Sequence, residues 1–507
     1  MERWGAYLAA VDWVPWMIIA LAAFLRLLLL GIKPPHFDEG INGWFVDQMT
    51  KSGFYRYDPT NYHGPMHFYI LFLAQTLFGR SVWVLRLPVV LASIASVWLT
   101  FKFEPFVGRS VTRLAALAMA VSPAFVFYGR YSIHEVWLLL FSMLFILGGL
   151  GLWRMGSARY LWCVVLGISG MVLTKETYII HLGCAVLALL VAYVSHKITP
   201  AENTKPTTPR WTYFDLAAAL AVGLAAVVFF YSGTFLNWHG VKGLYLTFAT
   251  WFGTGSQGNG HEKPWHYWLM LIARYEIGIA IGLVACLFCQ MFREISLRYL
   301  AIYGVGTLMA YSIVHYKTPW CIISIVWPLL FLFGGALLLV PERFRRFAIG
   351  AAAVILAVSL AASIRLNYFR CSTDTEPYVY VQTYNDIFQL TRPLLKLAHQ
   401  NPTYYQLVGH IIRTSAYPLP WMLGDFTRIG YYENNNLPTP IDADFLLVQE
   451  DKIAEVDGKL QNAYYTMPFT IRSYQDTSKL YLSAKVFKNF FKGRTPDFAG
   501  REPATTP

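Results

Sequence analysis

Charge is scarce in this chain: only 14% of its 507 residues are Asp, Glu, Lys or Arg, against 56% hydrophobic and 17% aromatic residues. That balance excludes an ordinary water-soluble multidomain protein and describes a chain made mainly for lipid. Cysteine is sparse too. The six cysteines (Cys163, Cys184, Cys286, Cys289, Cys321, Cys371) are scattered, most of them in or beside apolar runs. They read as small packed hydrophobes and indicate no disulfide framework. Cys286 and Cys289 have CxxC spacing but sit mid-span with no second pair, which argues against zinc or redox chemistry. No glycine run suited to a nucleotide is present in the C-terminal part of the chain. No small-residue cleavage site follows MERWGAYLAAVDWVPW, so the first apolar span is expected to remain as an anchor.

What is abundant is the apolar run of about 20 residues, long enough to cross a roughly 30 Å hydrocarbon core. Helices are expected near 13–32, 82–103, 112–129, 135–153, 160–177, 179–196, 213–235, 266–290, 299–315, 320–340 and 347–366. The apolar segment 66–79 is shorter and is expected to lie along the interface. Beyond residue 366 polar residues mix in, as in a single soluble domain. The expected fold is a polytopic α-helical membrane protein of about eleven transmembrane helices with a C-terminal extracytoplasmic α/β domain. Its parts are a transmembrane domain at 1–366 with a first outer loop at 33–67, a soluble domain at 367–490, and a flexible tail at 491–507.

Arginine and lysine fall in alternate loops: Arg109 and Arg113, Arg154 and Arg159, Lys197 with Lys205 and Arg210, Arg293 and Arg298, then Arg343, Arg345 and Arg346. The positive-inside rule makes those loops cytoplasmic. With Arg3 inside, an odd number of spans in the cytoplasmic membrane puts the C-terminal domain and the first loop outside. The net charge of +12 is then largely topological, and no nucleic-acid partner is indicated.

Five segments share the outer side on this topology. The first loop carries His36, Asp38 and Glu39 in HFDEG, then His63 and His67 in HGPMH. GRYSIHE adds Arg130, His134 and Glu135, and TKETY adds Lys175 and Glu176. The long stretch 237–268 mixes glycine with Trp, Tyr and His, and HYKTPW supplies His315 and Lys317. Carboxylates, cations and histidines collected at one membrane face suit a reaction between a lipid-anchored phosphate substrate and one arriving from water. Cations would hold the phosphate, and a carboxylate would serve an acceptor hydroxyl as base.

In this order the motifs resemble those of the GT-C superfamily of membrane glycosyltransferases, particularly the protein O-mannosyltransferase and lipid A aminoarabinose transferase type. The matching pieces are FDEG, HGPMHFYILFLAQTLFG, SVWVLRLPVVLAS, GRYSIHE, GMVLTKETY and YKTPWCIISIVWPLL. More narrowly, the chain resembles a prokaryotic branch labelled as associated with flippase activity. HGPMH replaces the family's usual double proline, and His134 and Glu135 stand where relatives more often carry Arg followed by Asn or Asp.

The resemblance implies inverting transfer of a monosaccharide from a polyprenyl-phosphate donor to a lipid, glycan or protein acceptor. Asp38 would be the base and Glu39 its helper. Lys317, Lys175 and Arg130 would hold the donor phosphate. Glu135, His134, Glu176, His63, His67 and His315 would bind or orient substrate. Glu39, Glu135 or nearby histidines would hold a divalent cation, where one is required.

Plainer roles stand beside each of these. Asp38 and Glu39 equally suit the N-terminus of an interfacial helix, Lys317 suits snorkelling, and Arg130 and Lys175 suit anchoring or ion pairing. A flippase and a noncatalytic lipid-phosphate scaffold are the alternative functions. In the soluble domain YVYVQT, YYQLVGH and DADFLLVQ read as strands, and DIFQLTRPLLKLAHQ and DKIAEVDGKLQ read as helices.

Overall fold

A computed structural model describes residues 12–61, 63–257, 260–433 and 436–498. Arg3, Tyr62 and residues 499–507 of the expected tail lie outside the described residues. The chain divides into two units. One comprises Met1–Leu30, Met49–Cys371 and Glu376–Tyr378, and the other Gly31–Gln48, Ser372–Thr375 and Val379–Pro507.

The first unit is helical and belongs to a multi-pass membrane protein. Among the described residues six helices are long and apolar enough to cross a membrane: Val82–Val107, Glu135–Met155, Tyr178–Ile198, Tyr213–Tyr231, Pro319–Leu339 and Glu342–Phe369. Val14–Leu27, Met66–Phe78, Ala158–Val172 and Ile277–Cys286 are apolar but shorter. Pro319–Leu339 is mostly buried, whereas Tyr213–Tyr231 and Glu342–Phe369 are mostly not. The last two turn residues such as Leu224, Phe347 and Val354 outward, as helices facing lipid do.

Two stretches expected as continuous helices are broken. The stretch 112–129 divides into Arg109–Val121 and Pro123–Tyr128, and 266–290 into Tyr267–Tyr275 and Ile277–Cys286. The breaks satisfy one another. Pro123 cannot continue a helix hydrogen-bond ladder, and the Glu276 carboxylate at the second break accepts from Ser122 Oγ at 2.7 Å and from the Ala124 N–H at 2.8 Å. Irregular backbone at membrane depth needs such internal partners.

The stretch 237–268, expected as a glycine-loosened loop, contains the helix His239–Gln257. Gly243 serves close approach: it faces the Tyr57 ring, and a side chain there would come within 3.0 Å of it. Tyr57 OH also bonds Thr247.

The second unit holds a five-stranded sheet in the order β2-β1-β3-β5-β4. The strands are β1 Gly409–Ile412, β2 Ile429–Tyr432, β3 Phe445–Gln449, β4 Tyr464–Phe469 and β5 Ser478–Ser483. β1 runs parallel to β2 and β3, while β5 runs antiparallel to β3 and β4. The period of two buries both faces of β3. Phe445 and Leu447 pack with Leu390 and Leu394 of the helix Ile387–Gln400, and Leu446 and Val448 pack with Val456 and Tyr464.

YVYVQT is not a strand: Val381 has φ of +53°, and the Tyr380 carbonyl bonds the His36 ring instead of a ladder partner. YYQLVGH is strand only from Gly409, because Pro402–Gln406 is a short 3-10 helix. Within the expected tail, Phe498 bridges to Tyr464 at the edge of β4.

Candidate active site

HFDEG opens the helix Phe37–Ser52, with Asp38 and Glu39 in its first turn. Glu39 Oε2 accepts the His36 N–H at 2.8 Å, and the Asp38 N–H donates to His36 Nδ1 at 3.1 Å. The pattern resembles a capping box, with an imidazole in place of the usual hydroxyl and the carboxylates at the positive end of the helix. Because Nδ1 accepts, His36 Nε2 carries the proton and donates to the Tyr380 carbonyl at 2.9 Å. Burial pushes the His36 pKa down to about 3, although Tyr380 and Glu39 oppose this. The ring is therefore neutral, and its 3.7 Å approach to Asp38 is not an ion pair. The two acids differ in exposure: Glu39 is 0% exposed, while the Asp38 side chain is 35% exposed. Glu39 is occupied as a cap, and the Asp38 side chain is only partly buried.

The helical unit gathers a second group. The backbone of HGPM pairs with the start of TKETY and the residue before it, Gly64 N–H to Thr174 O at 2.9 Å and Met66 N–H to Leu173 O at 3.2 Å. A side chain at Gly64 would meet Thr174 N at 2.6 Å, so only glycine permits this approach. The pairing brings His63 Nδ1 within 3.2 Å of Glu176 Oε2. The His134 ring lies between His63 and His67, with centroids 4.7 and 4.5 Å away. Trp137 Nε1 donates to His67 Nδ1 at 3.1 Å.

Beside them Lys175 Nζ is bonded to Glu135 and lies 3.6 Å from Cys321 Sγ. Thr318 Oγ1 is 3.4 Å from the same sulfur. Glu135, Lys175, Glu176 and His134 are all buried. Burial opposes the Lys175 charge, yet Cys321, Glu135 and Glu176 outweigh it and hold its pKa well above the ordinary lysine value. Burial, then the neighbouring His67, His63 and Lys175, drive His134 well below the ordinary histidine value, so it is neutral.

The remaining predicted residues stand elsewhere. Arg130 Nη1 and Nη2 donate to the carbonyls of Leu25, Leu28 and Leu29 at 2.7–3.0 Å, and Nη1 lies 3.2 Å from Tyr368 OH. Its guanidinium thus caps the C-terminal end of Val14–Leu27. Lys317 is buried and donates to the carbonyls of Lys263, at 3.2 Å, and Val314. His315 is exposed, and its carbonyl accepts from the Lys263 N–H at 3.1 Å. Among the described residues no group of three or more His, Cys, Asp or Glu side chains is arranged to hold a metal ion.

Sequence reasoning missed Cys321, Trp137 and Arg472. Cys321 ends the conspicuous KTPWC, but treating every cysteine as packing hid it. Trp137 follows Glu135 by two residues and is hidden among the membrane aromatics. Arg472 comes from the C-terminal domain, where no motif points to it, and its guanidinium carbon lies 4.2 Å from the Phe37 ring centroid.

The family model for dolichyl-phosphate-mannose-protein mannosyltransferase matches residues 62–203. His63, His67, Arg130, His134, Glu135, Lys175 and Glu176 all fall inside that match. No curated protein matches the chain. Among solved structures, ArnT from Cupriavidus metallidurans bound to undecaprenyl phosphate is similar with a TM-score of 0.62 and 14% identity, over 97% of this chain and 100% of that one. Its apo state is similar with a TM-score of 0.57 and 15% identity, over 94% and 99%. The expected resemblance to the mannosyltransferase and aminoarabinose transferase type of GT-C enzyme therefore holds.

Proposed function

We infer, from an ArnT-like fold and a mannosyltransferase family match over residues 62–203, that the chain transfers a monosaccharide from a polyprenyl phosphate to an acceptor hydroxyl. The reaction inverts the anomeric carbon and takes place at the outer face of the cytoplasmic membrane, which about eleven helices cross. The C-terminal domain lies on that same outer side. Asp38 removes the acceptor proton as the oxygen attacks the anomeric carbon. The bond from that carbon to the phosphate oxygen breaks, and polyprenyl phosphate leaves as an anion. Lys317 and Lys175 are the cations assigned to the phosphate, where preorganised positive charge stabilises the departing anion. Glu135 fixes the Lys175 ammonium, and His63, His67, His134 and Glu176 orient substrate. Arg130 anchors the end of the first helix.

The observation that carries this reading is the coincidence of the 62–203 family match with the cluster that surrounds the buried Lys175–Glu135 pair. A structural neighbour with undecaprenyl phosphate bound supports the lipid class. The test is incubation of the protein in lipid with a panel of polyprenyl-phosphate sugars and acceptors, with release of polyprenyl phosphate followed by mass spectrometry. Turnover supports the reading. Movement of an intact lipid-linked sugar between leaflets would replace it with a flippase, and tight lipid binding without any turnover would replace it with a scaffold.

A further inference from the structure

We propose that Arg472, in the loop between β4 and β5, is a positioning residue for Asp38: it holds the first turn of the Phe37–Ser52 helix so that the Asp38 carboxylate meets the acceptor hydroxyl. The inference rests on Asp38 being the base, as read above. Every contact behind it lies inside one unit, since Gly31–Gln48 and Val379–Pro507 belong together.

Arg472 is 3% exposed, and its guanidinium carbon stacks on the Phe37 ring at 4.2 Å. One Nη donates to the Tyr417 carbonyl at 2.7 Å, and the Tyr417 ring meets Phe37 edge-on at 5.8 Å. The buried Nε has no hydrogen-bond partner among the described residues. Arg413 beside it is different: Ser415, Ser478 and Gln475 accept from it at 2.7, 3.0 and 2.9 Å. A guanidinium taken out of water with its hydrogen bonds incomplete is costly unless its charge is used. The field of Arg472 falls on the turn that carries Asp38, and the Asp38 charge acts back on it.

The rest of the helix is already fixed. Gly43 lies against Trp421, where a Cβ would come within 2.7 Å of Cδ2, and Gly40 lies against Pro418. His36 bonds the Tyr380 carbonyl, and Gln382 Nε2 donates to the Pro34 carbonyl at 3.0 Å. Beside these contacts, the stack of Arg472 on Phe37 bears on the first turn at the residue just before Asp38. Arg472 thus adds a packed positive charge at that turn.

The test uses the full chain in lipid, with Arg472→Met, Arg472→Lys and Phe37→Leu each made alone, and Arg472→Met also combined with Asp38→Asn. Release of polyprenyl phosphate gives kcat and donor KM. Arg472→Met is expected to lower kcat by about 10- to 100-fold, the scale of a sub-ångström to 1 Å misplacement, with donor KM nearly unchanged. Arg472→Lys recovers part of the loss because it restores the charge without the planar stack, and Phe37→Leu costs less than Arg472→Met. On the residual rate of Asp38→Asn, adding Arg472→Met changes nothing further.

A full additional loss on that background would overturn the proposal, as would equal losses for Met and Lys that track a lowered unfolding temperature. Amide exchange gives a readout without turnover. Arg472→Met is expected to speed exchange at residues 37–40 while 445–449 stay protected, and unchanged exchange at 37–40 would overturn the proposal. Full transfer by Asp38→Asn alone would instead remove the base assignment on which it rests, and that result comes from a different variant.

Discussion

The Lys175–Glu135 pair and the Asp38 turn handle charge in opposite ways. In the helical unit a lysine and a glutamate are buried together and neutralise one another. In the other unit Asp38 keeps a carboxylate that is 35% exposed, while its neighbour Glu39 is spent on the His36 N–H. A buried pair fixes the position of the Lys175 ammonium without rearrangement. A partly exposed carboxylate on a clamped helix is suited to exchange a proton with an incoming hydroxyl. The contrast teaches that adjacency in sequence does not mean shared surroundings: Asp38 and Glu39 are neighbours in different environments, and Lys175 and Glu135 are distant in sequence yet paired.

Breaking the closed pair should have the largest effect on stability. Lys175→Met leaves Glu135 buried and uncompensated and is expected to cost about 3–5 kcal/mol, seen as a lowered unfolding temperature in detergent. The double variant with Glu135→Leu should recover much of that loss. Loosening the clamped helix comes next. Gly43→Ala drives a methyl into Trp421 and should cost about 1–3 kcal/mol, whereas Gly31→Ala, with nothing within 4 Å, should leave the unfolding temperature unchanged.

Acid sharpens the comparison from the side of His36. Its pKa lies near 3 when folded, against 6.5 ordinarily. Above pH 6.5 neither folded nor unfolded chain protonates it, and it gives no pH dependence. Between 6.5 and 3 the unfolded chain takes up a proton that the folded chain refuses, so stability falls as pH falls, by up to ~1.4 kcal/mol per unit. Thermal unfolding between pH 7 and 5 should show this slope, and His36→Asn should flatten it. The smallest effect belongs to the cap. Glu39→Ala should cost about 1 kcal/mol, and Glu39→Gln, which keeps an acceptor for the His36 N–H, should cost less.

Much of this was legible in the sequence because lipid simplifies the code. Long aliphatic runs marked most of the apolar helices, and the polar turns stood out against them. The two breaks were hidden because Ser122, Pro123 and Glu276 acquire meaning only when the carboxylate reaches across from one helix to the cap of another. YVYVQT has the alternation of a strand, but backbone bonds to side chains from the first loop replace the ladder. β2, β4 and β5 were missed because short strands with a proline such as Pro468 in β4 carry a weak pattern. The positions of Lys175 and Glu135 on polar turns were readable. Their pairing was not, since it depends on how three distant turns meet.

The most direct test compares the wild-type chain with Asp38→Asn in the same lipid, measuring polyprenyl phosphate released from a polyprenyl-phosphate sugar in the presence of acceptor. Loss of a general base predicts a fall of about 10²- to 10⁴-fold with donor binding retained. Equal release by the two proteins would contradict the account.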